Sequence, residues 1–210
     1  MRDSVTQLSD GAAALGVTLD TLQLDKLAAY CELIRKWNRA FNLVSRKDID
    51  RLESRHVLDA LSVHEYLQGG RVLDVGSGAG LPGVPLAISM PQRRFCLLDR
   101  ADRRVRFLKQ VKLELELSNV EVVGADVRTL TTATRYDVIL ARAVATVSDL
   151  WDMVAPLLNR QGRLLVFGST QGTPGEGMQA LPPEASLEVR TAQIPGMQAT
   201  HAIYQVGWKS

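Results

Sequence analysis

The chain has 210 residues, of which 46% are hydrophobic and 23% charged, a composition ordinary for a globular protein of one domain with a substantial core. Its net charge of +2 gives no evidence for nucleic-acid binding, and its two isolated cysteines, Cys31 and Cys96, indicate buried thiols in a reducing compartment rather than a disulfide or a metal site. Since the sequence shows no signal peptide and no apolar run long enough to cross a membrane, we expect a cytoplasmic protein that binds neither membrane nor metal.

Residues 1–68 are predicted to form an N-terminal helical extension that precedes the main domain over residues 69–210. Asp20 followed three residues later by Gln23 resembles a capping box at a helix start. The apolar stripe of this helix comprises Leu24, Leu27, Ala28, Cys31, Ile34 and Trp37. A second helix is predicted over about residues 51–67, where a glycine pair ends it.

From residue 71 onward, short apolar strands alternate with helices. The predicted strands are RVLDVG (71–76), RFCLLD (94–99), VEVVGAD (120–126), YDVILARA (136–143) and GRLLVFGS (162–169). Helices are predicted over 101–117, near 147–158, and between Pro82 and Pro91. This alternation predicts a parallel sheet with right-handed crossovers.

The pattern changes after Gly168. The stretch GSTQGTPGEG reads as a flexible loop, and residues 187–195 and 200–208 read as two strands with no helix between them, hence an antiparallel pair. Such a sheet resembles that of the S-adenosylmethionine (SAM)-dependent methyltransferases. The predicted fold class is therefore α/β: a Rossmann-like class I methyltransferase, with a mostly parallel seven-stranded sheet, antiparallel C-terminal strands and an N-terminal helical segment.

The segment DVGSGAGLPG, residues 74–83, places a glycine-rich turn between a strand and a helix. Gly76 is expected to allow the turn, Gly78 to let a ligand approach the backbone, and Gly80 to permit close helix packing. The N–H groups at the following helix start attract an anion. That anion is the pyrophosphate in a dinucleotide-binding enzyme and the methionine carboxylate in a methyltransferase.

Three features favour SAM over a dinucleotide. Leu81 stands where the dinucleotide fingerprint has glycine or alanine. Asp74 is placed to brace the turn and meet the ammonium group of the cofactor. Asp99 ends the second strand, where it suits the ribose hydroxyls in either class, and Asp126 with Val127–Arg128 ends the third strand at the expected adenine edge. An NAD-dependent oxidoreductase and a SAM-binding module without turnover are the alternatives.

The methyl acceptor is narrowed by elimination. The position after the fourth strand, where adenine-amine methyltransferases carry a polar–Pro–Pro–aromatic turn, is ARAV here. Methylation of pyrimidine C5 needs an accessible thiolate, which neither Cys31 nor Cys96 offers. An acceptor with its own lone pair remains, such as guanine N7, a hydroxyl or a small amine.

Arg142 follows the fourth strand at the carboxyl edge of the sheet, where α/β proteins bind ligands. A charge at this position costs free energy unless it is paired with an opposite charge or binds a ligand. We favour a role at the site over a purely structural salt bridge, for which Asp74 or Asp149 would be the partner.

Several motifs together resemble a known family. They are WNRAFNLVS (37–45), SRHVLDAL (54–61), DVGSGAGLPGVPLAI (74–88), RVRFLKQV (104–111) and ARAVA (141–145). In this order they resemble the bacterial ribosomal RNA small subunit methyltransferase G family, also called glucose-inhibited division protein B. The resemblance implies SAM-dependent methylation of guanine N7 in 16S ribosomal RNA near the decoding region. It also implies cofactor contacts at Gly76, Leu81, Val127–Arg128 and Arg142.

The resemblance implies 16S ribosomal RNA or a small-subunit particle as the partner. We expect a monomeric enzyme, and the sequence does not indicate a catalytic residue. Eight basic residues lie between Arg93 and Lys112 and seven between Arg35 and Arg55. The residues expected at the RNA are Arg55, His56, Arg103 and Arg104. Arg55 and Asp59 are also spaced for a surface ion pair, and His56 for helix packing. Trp37 and Phe41 are interpreted as core residues rather than base-stacking platforms.

Three positions depart from the family pattern. Ala60 and Ala141 stand where the family often has serine, and Gly168 stands where it commonly has lysine. A methyltransferase of another RNA or of a small molecule therefore remains an alternative to the family function.

Overall fold

The computed structural model describes residues 2–142, 146–169, 181–197 and 200–209. Most of the loop predicted after Gly168, and the end of the ARAVA motif, lie outside these residues. The helices are α1 (Arg2–Ala14), α2 (Thr21–Asn38), α3 (Leu58–Leu61), α4 (Gly83–Ser89), α5 (Asp102–Glu114) and α6 (Val147–Val154). The strands are β1 (Arg71–Val75), β2 (Arg94–Asp99), β3 (Val120–Gly124), β4 (Tyr136–Arg142), β5 (Leu158–Ser169), β6 (Ala185–Gln193) and β7 (Thr200–Trp208).

The seven strands form one sheet in the order β3-β2-β1-β4-β5-β7-β6. β1 to β5 are parallel, whereas β7 runs antiparallel to both β5 and β6. The predicted fold class, including the antiparallel C-terminal pair, is confirmed. Because the order of the strands reverses between β1 and β4, the carboxyl ends of these two parallel strands border a crevice in which α/β proteins bind ligands.

Alternate residues of the strands feed two cores, as the two-residue period of a strand requires. Val72 and Leu97 pack with α1, α2, α4 and α5 on one face, and Leu73 and Leu98 pack with α6 on the other. Leu8 of α1 belongs to the first core, so the N-terminal segment is packed onto the sheet. Among the described residues, no helix is long and apolar enough to cross a membrane.

Helix α2 begins where the sequence predicts. The side chain of Asp20 accepts from the Gln23 N–H at 2.8 Å, and the Gln23 side chain accepts from the Asp20 N–H at 2.9 Å, so the capping box is confirmed. The Gln23 amide also donates to the carbonyls of Ile88 and Ser89 at the end of α4. One side chain therefore starts one helix and satisfies the end of another.

The prediction of one helix over residues 51–67 is wrong. This stretch is a chain of short pieces: a 3₁₀ turn at Ile49–Arg51, a π turn at Glu53–Val57, then α3, then a 3₁₀ turn at His64–Tyr66. The buried acids of this stretch are held from different directions, Glu53 by Arg35 of α2 and Asp59 by groups at the ends of β4 and β7. These tertiary contacts favour a broken backbone path over one continuous α-helix.

Trp37 packs as predicted. Its ring lies 5.4 Å from that of Phe107 and 5.6 Å from that of Phe41, and it rests against the first core. Cys31 and Cys96 are buried, as expected. Burial raises the pKa of both thiols, that of Cys96 to about 11, which keeps them protonated.

Candidate cofactor and substrate site

A cavity of about 680 Å³ opens at the carboxyl ends of β1 to β4, a volume within the range of small-molecule sites. Its two walls come from the sheet side and from the N-terminal segment. The sheet side consists of Val75, Gly76, Ser77, Gly78, Ala79, Leu81, Leu98, Asp99, Arg100, Arg104, Ala125, Asp126, Val127, Arg128, Arg142 and Met153. The N-terminal segment contributes the opposite wall, Leu43, Val44, Ser45, Asp48 and His56.

The glycine loop adopts backbone angles that favour glycine. Gly76, Gly78 and Gly80 have φ of +69°, +58° and +88°, in the left-handed region. A Cβ at Gly80 would lie 2.5 Å from Val84 and 3.1 Å from Leu108, so the predicted close packing is confirmed. A Cβ at Gly78 would meet no described atom nearer than 3.8 Å, which leaves space over the loop for a ligand.

Asp74 lies beneath this loop rather than on the cavity surface. It is 1% exposed, and its Oδ2 accepts from the Gly83 N–H at 3.0 Å, a contact that braces the turn as predicted. A Cβ at Gly83 would lie 2.6 Å from the same oxygen, so only glycine fits. Oδ1 is buried with no hydrogen-bond partner among the described residues, and burial raises the pKa of Asp74 to about 7.

Asp99, at the end of β2, borders the cavity and fixes the backbone on both sides of it. Its Oδ2 accepts from the Gly78 N–H and its Oδ1 from the Ala101 N–H, both at 2.9 Å. Arg104 reaches Oδ2 at 3.5 Å. A carboxylate oxygen accepts more than one hydrogen bond, so both oxygens of Asp99 keep acceptor capacity toward the cavity.

Asp126 begins the 3₁₀ turn Val127–Thr129 and is tied to Arg128. The Arg128 guanidinium donates to both its oxygens, at 3.0 and 2.6 Å, and Arg100 lies 3.6 Å away. The hydrogen bonds and charge of Arg128 hold the pKa of Asp126 well below its usual range. The turn therefore presents an ionised carboxylate and the side chain of Val127 at the third strand end.

Arg142 borders the cavity and is also paired. Its Nη2 lies 3.2 Å from Oδ2 of Asp59, so the predicted structural partners, Asp74 and Asp149, are wrong. Oδ1 of Asp59 contacts Nδ1 of His201 at 2.6 Å. The predicted pair between Arg55 and Asp59 is also wrong, because Asp59 is buried between β4 and β7 and its carboxylate serves groups of the sheet.

Of the residues in the N-terminal wall, only His56 was predicted from the sequence. Asn38 accepts from the N–H groups of Leu43 and Val44 at 2.7 and 3.0 Å, which turns the chain toward the cavity. Asp48 then accepts from the Ser45 hydroxyl at 2.6 Å and forms an ion pair with Arg55 at 2.8 Å. The sequence signal for residues 43–45 of this wall was the motif WNRAFNLVS, which contains Asn38.

The residues expected at the RNA separate into two groups. His56 and Arg104 border the cavity. Arg55 is held by Asp48, and the Arg103 guanidinium stacks 5.8 Å above the Phe41 ring, so these two flank the N-terminal wall instead. His56 is both packed and at the site, because it is 8% exposed and contacts Arg142.

Comparison with known proteins decides the family. A family model described as rRNA small subunit methyltransferase G matches residues 23–189 of the chain. The ribosomal RNA small subunit methyltransferase G of Stutzerimonas stutzeri is 43% identical over 195 residues, covering 91% of this chain and 90% of that protein. That of Methylococcus capsulatus is 39% identical over 192 residues, covering 91% and 93%.

The chain belongs to the rRNA small subunit methyltransferase G family. The resemblance drawn from the motifs is confirmed, and with it the enzyme class and cofactor, a SAM-dependent methyltransferase. The departure at Gly168 has a structural reason in this family member: a Cβ there would collide with the ring of Tyr204 on β7. A lysine at this position has no room while Tyr204 is present.

Solved structures show the same fold. The methyltransferase NodS of Bradyrhizobium japonicum, in complex with S-adenosylhomocysteine, matches with a TM-score of 0.58 at 14% identity, covering 85% of this chain and 99% of that one. Magnesium protoporphyrin IX methyltransferase of Synechocystis, with bound SAM, matches with a TM-score of 0.57 at 16% identity, covering 85% and 97%.

The cavity of this family member fits SAM on its own geometry. There is free space above Gly78, and carboxylates end β2 and follow β3 at Asp99 and Asp126. Asp74 lies beneath the loop with Oδ1 buried, so the predicted contact with the ammonium group is not made from the cavity surface. Asp99 and Asp126 are the carboxylates on the sheet side of the cavity, and they offer the acceptors that ribose hydroxyls and an adenine edge need.

Proposed function

We propose that this protein transfers a methyl group from SAM to N7 of a guanine in 16S ribosomal RNA near the decoding region, in the cytoplasm and as a monomer. The observation that carries the proposal is the shared cavity. One wall has the glycine loop with Asp99 and Asp126, and the other, from the N-terminal segment, presents polar groups of its own at Asp48 and His56. A cofactor and a base can therefore meet in one enclosure.

The residues that hold SAM in this proposal are those of the sheet side. Asp99 accepts from the ribose hydroxyls, and Asp126 with Val127–Arg128 borders the adenine. Gly76, Gly78 and Leu81 shape the loop along the methionine portion, and Asp74 braces that loop from beneath through the Gly83 N–H. When bound, SAM supplies a methyl group made electrophilic by its sulfonium centre.

Methylation at guanine N7 requires that the reacting groups be oriented, and it requires no general base. Guanine N7 carries its lone pair in the ring plane, so no proton has to be removed before it reacts. Holding the base and excluding water are the contributions left to the protein. In paired A-form RNA, N7 lies in a deep and narrow groove, so the target base is expected in a loop or a splayed strand.

The rim of the cavity supports RNA as the substrate. The side chains of Arg100, Arg104 and Arg128 are 74%, 49% and 62% exposed, and all three border the opening. Arg55 and Arg103 extend this basic rim along the N-terminal wall. Phosphate contacts by such residues make binding depend on salt, with a slope of about −0.7 per contact for single strands.

The test combines position and atom. The protein is incubated with methyl-labelled SAM and either small-subunit RNA or assembled small-subunit particles, and the label is mapped. We expect label at one guanine, on N7, and loss of labelling when that guanine is replaced by 7-deazaguanine. Label on another base or atom, or equal turnover with a small molecule in the absence of RNA, would contradict the proposal.

A further inference from the structure

The imidazole of His56 borders the cavity and carries a buried nitrogen that has no hydrogen-bond partner among the described residues. Arg142 Nη2 lies 3.0 Å from His56 Nδ1, and a guanidinium only donates hydrogen bonds. Nδ1 is therefore the acceptor, and the proton of the neutral ring is on Nε2. His56 is 8% exposed, and Nε2 has no hydrogen-bond partner among the described residues.

His56 remains neutral at physiological pH. Burial, and then the charge of Arg142, lower its pKa from 6.5 to about 4. A buried N–H without an acceptor costs free energy, which is recovered when a ligand supplies one. Nε2–H is thus a donor with a fixed tautomer, held in place by Arg142 at the cavity wall.

Asp48 places an acceptor beside this donor. Its Oδ2 lies 3.9 Å from His56 Nε2, too far for a hydrogen bond between them. Oδ1 is taken by Arg55 at 2.8 Å, whereas Oδ2 receives the Ser45 hydroxyl at 2.6 Å and keeps room for a second donor. Although burial acts to raise it, the bonds from Ser45 and Arg55 lower the pKa of Asp48 on balance, so the carboxylate is ionised.

We infer that His56 and Asp48 select the methyl acceptor, with His56 Nε2–H donating to guanine O6 and Asp48 Oδ2 accepting from guanine N1–H. The inference rests on the proposed function and adds the residues that read the base. Adenine reverses both groups, since it has an amine donor at position 6 and a lone pair at N1. It therefore meets donor with donor and acceptor with acceptor. Contacts to O6 and N1 leave guanine N7 free to react.

The first test changes the base. Small-subunit RNA is prepared with the methylated guanine replaced by inosine or by 2-aminopurine, and is assembled into particles if naked RNA is not a substrate. Inosine keeps O6 and N1–H, whereas 2-aminopurine lacks both. We expect inosine to be methylated within about threefold of guanine, and 2-aminopurine to lose about 100-fold or more in kcat/KM.

The second test changes the protein. His56→Phe removes the donor, and Asp48→Asn removes the charge and turns part of the acceptor into a donor. Each substitution is expected to lower kcat/KM for the guanine substrate about 10- to 100-fold. Neither is expected to change the rate for 2-aminopurine by more than about threefold, because the contact is already absent. The matched controls are His64→Phe and Asp50→Asn, which alter the same residue types outside the cavity and are expected to keep full discrimination.

The outcomes separate this inference from the proposed function. If guanine N7 is methylated but 2-aminopurine reacts equally well, or the two variants lose the same factor on both bases, the base-reading role is overturned and the function stands. If inosine is as poor as 2-aminopurine, contacts to O6 and N1–H do not suffice for recognition of the base, and the inference is again overturned. If no RNA guanine is methylated at N7, the proposed function itself fails.

Discussion

The carboxylate of Asp59 and the imidazole of His201 meet at 2.6 Å, although 142 positions separate the two residues in the chain. The other oxygen of Asp59 lies 3.2 Å from Arg142. Asp59 is 1% exposed, so one buried carboxylate joins α3 to the ends of β4 and β7. The position of Arg142 in the cavity wall is therefore set by a residue that is not on the cavity surface.

Asp59→Asn should lower both stability and activity. Asparagine can accept from one of the two partners but turns an N–H toward the other, and it leaves Arg142 without its counter-charge. We expect a loss of about 2–4 kcal/mol in the free energy of unfolding and at least a tenfold loss of kcat/KM, measured by urea denaturation and by methyl transfer. Asp152→Asn, at an exposed position of α6, is the matched control. Unchanged activity in a folded Asp59→Asn protein would show that Arg142 needs no such support.

Two alanine substitutions in the glycine loop should have different effects. Gly78→Ala places a methyl in the open space above the loop, so SAM affinity should fall at least tenfold, with a stability loss of only about 1 kcal/mol from its positive φ. Gly80→Ala drives a methyl against Val84 and Leu108, so unfolding should become easier by about 2–3 kcal/mol. Calorimetric titration and denaturation measure the two effects. If Gly78→Ala binds SAM as tightly as the unsubstituted protein, the cofactor does not lie above Gly78.

The stability of Asp74→Asn should depend on pH relative to the unsubstituted protein. Burial raises the pKa of Asp74 from 3.8 to about 7, so the folded state holds a proton that the unfolded state has released between these values. The stabilising contribution of this group is therefore complete below pH 3.8 and is lost as pH rises toward 7. Asparagine does not titrate. The difference in unfolding free energy, variant minus unsubstituted protein, should thus rise by about 2–3 kcal/mol from pH 5 to pH 8.

Urea denaturation at the two pH values checks the prediction for Asp74, since all other titrating groups cancel in the difference. A flat difference would mean that Asp74 is ionised in the folded protein at pH 5.

Asp99→Asn should weaken SAM binding. An amide can accept from either the Gly78 or the Ala101 N–H, but not from both, and it offers the ribose hydroxyls less negative charge. We expect the Kd for SAM to rise about 10- to 100-fold by calorimetric titration. Asp102→Asn, three residues away at the exposed start of α5, is the control and should bind normally. An unaltered Kd for Asp99→Asn would place the ribose elsewhere.

The sheet was predictable because its strands carry their signal locally. Arg94–Asp99 and Thr200–Trp208 are observed with the predicted bounds, since runs of apolar residues ending at an acid or a turn need no distant information. The glycine loop was predictable for the same reason. Left-handed backbone angles and close helix packing impose glycine at fixed spacing.

The partners of the charged residues were not predictable. Arg142 pairs with Asp59, and not with Asp74 or Asp149, because the broken helical stretch places the Asp59 carboxylate at the sheet edge. That path depends on tertiary packing and cannot be inferred from sequence spacing. The cavity wall at Asp48 was missed for a similar reason. Its role depends on where residues 38–48 fold back, and nothing in the local pattern shows which side of the sheet that segment will face.

The hydroxyl of Tyr30, in α2, donates to the carbonyl of Ala79 at 2.6 Å inside the glycine loop. The loop is thus held by a helix that lies well before it in the chain, since 32 residues separate the end of α2 from the start of β1, the strand that leads into the loop. A chimera that takes the sheet and the glycine loop from this protein would therefore need α2 as well. A host helix without the Tyr30 hydroxyl would leave the Ala79 carbonyl without this hydrogen-bond donor.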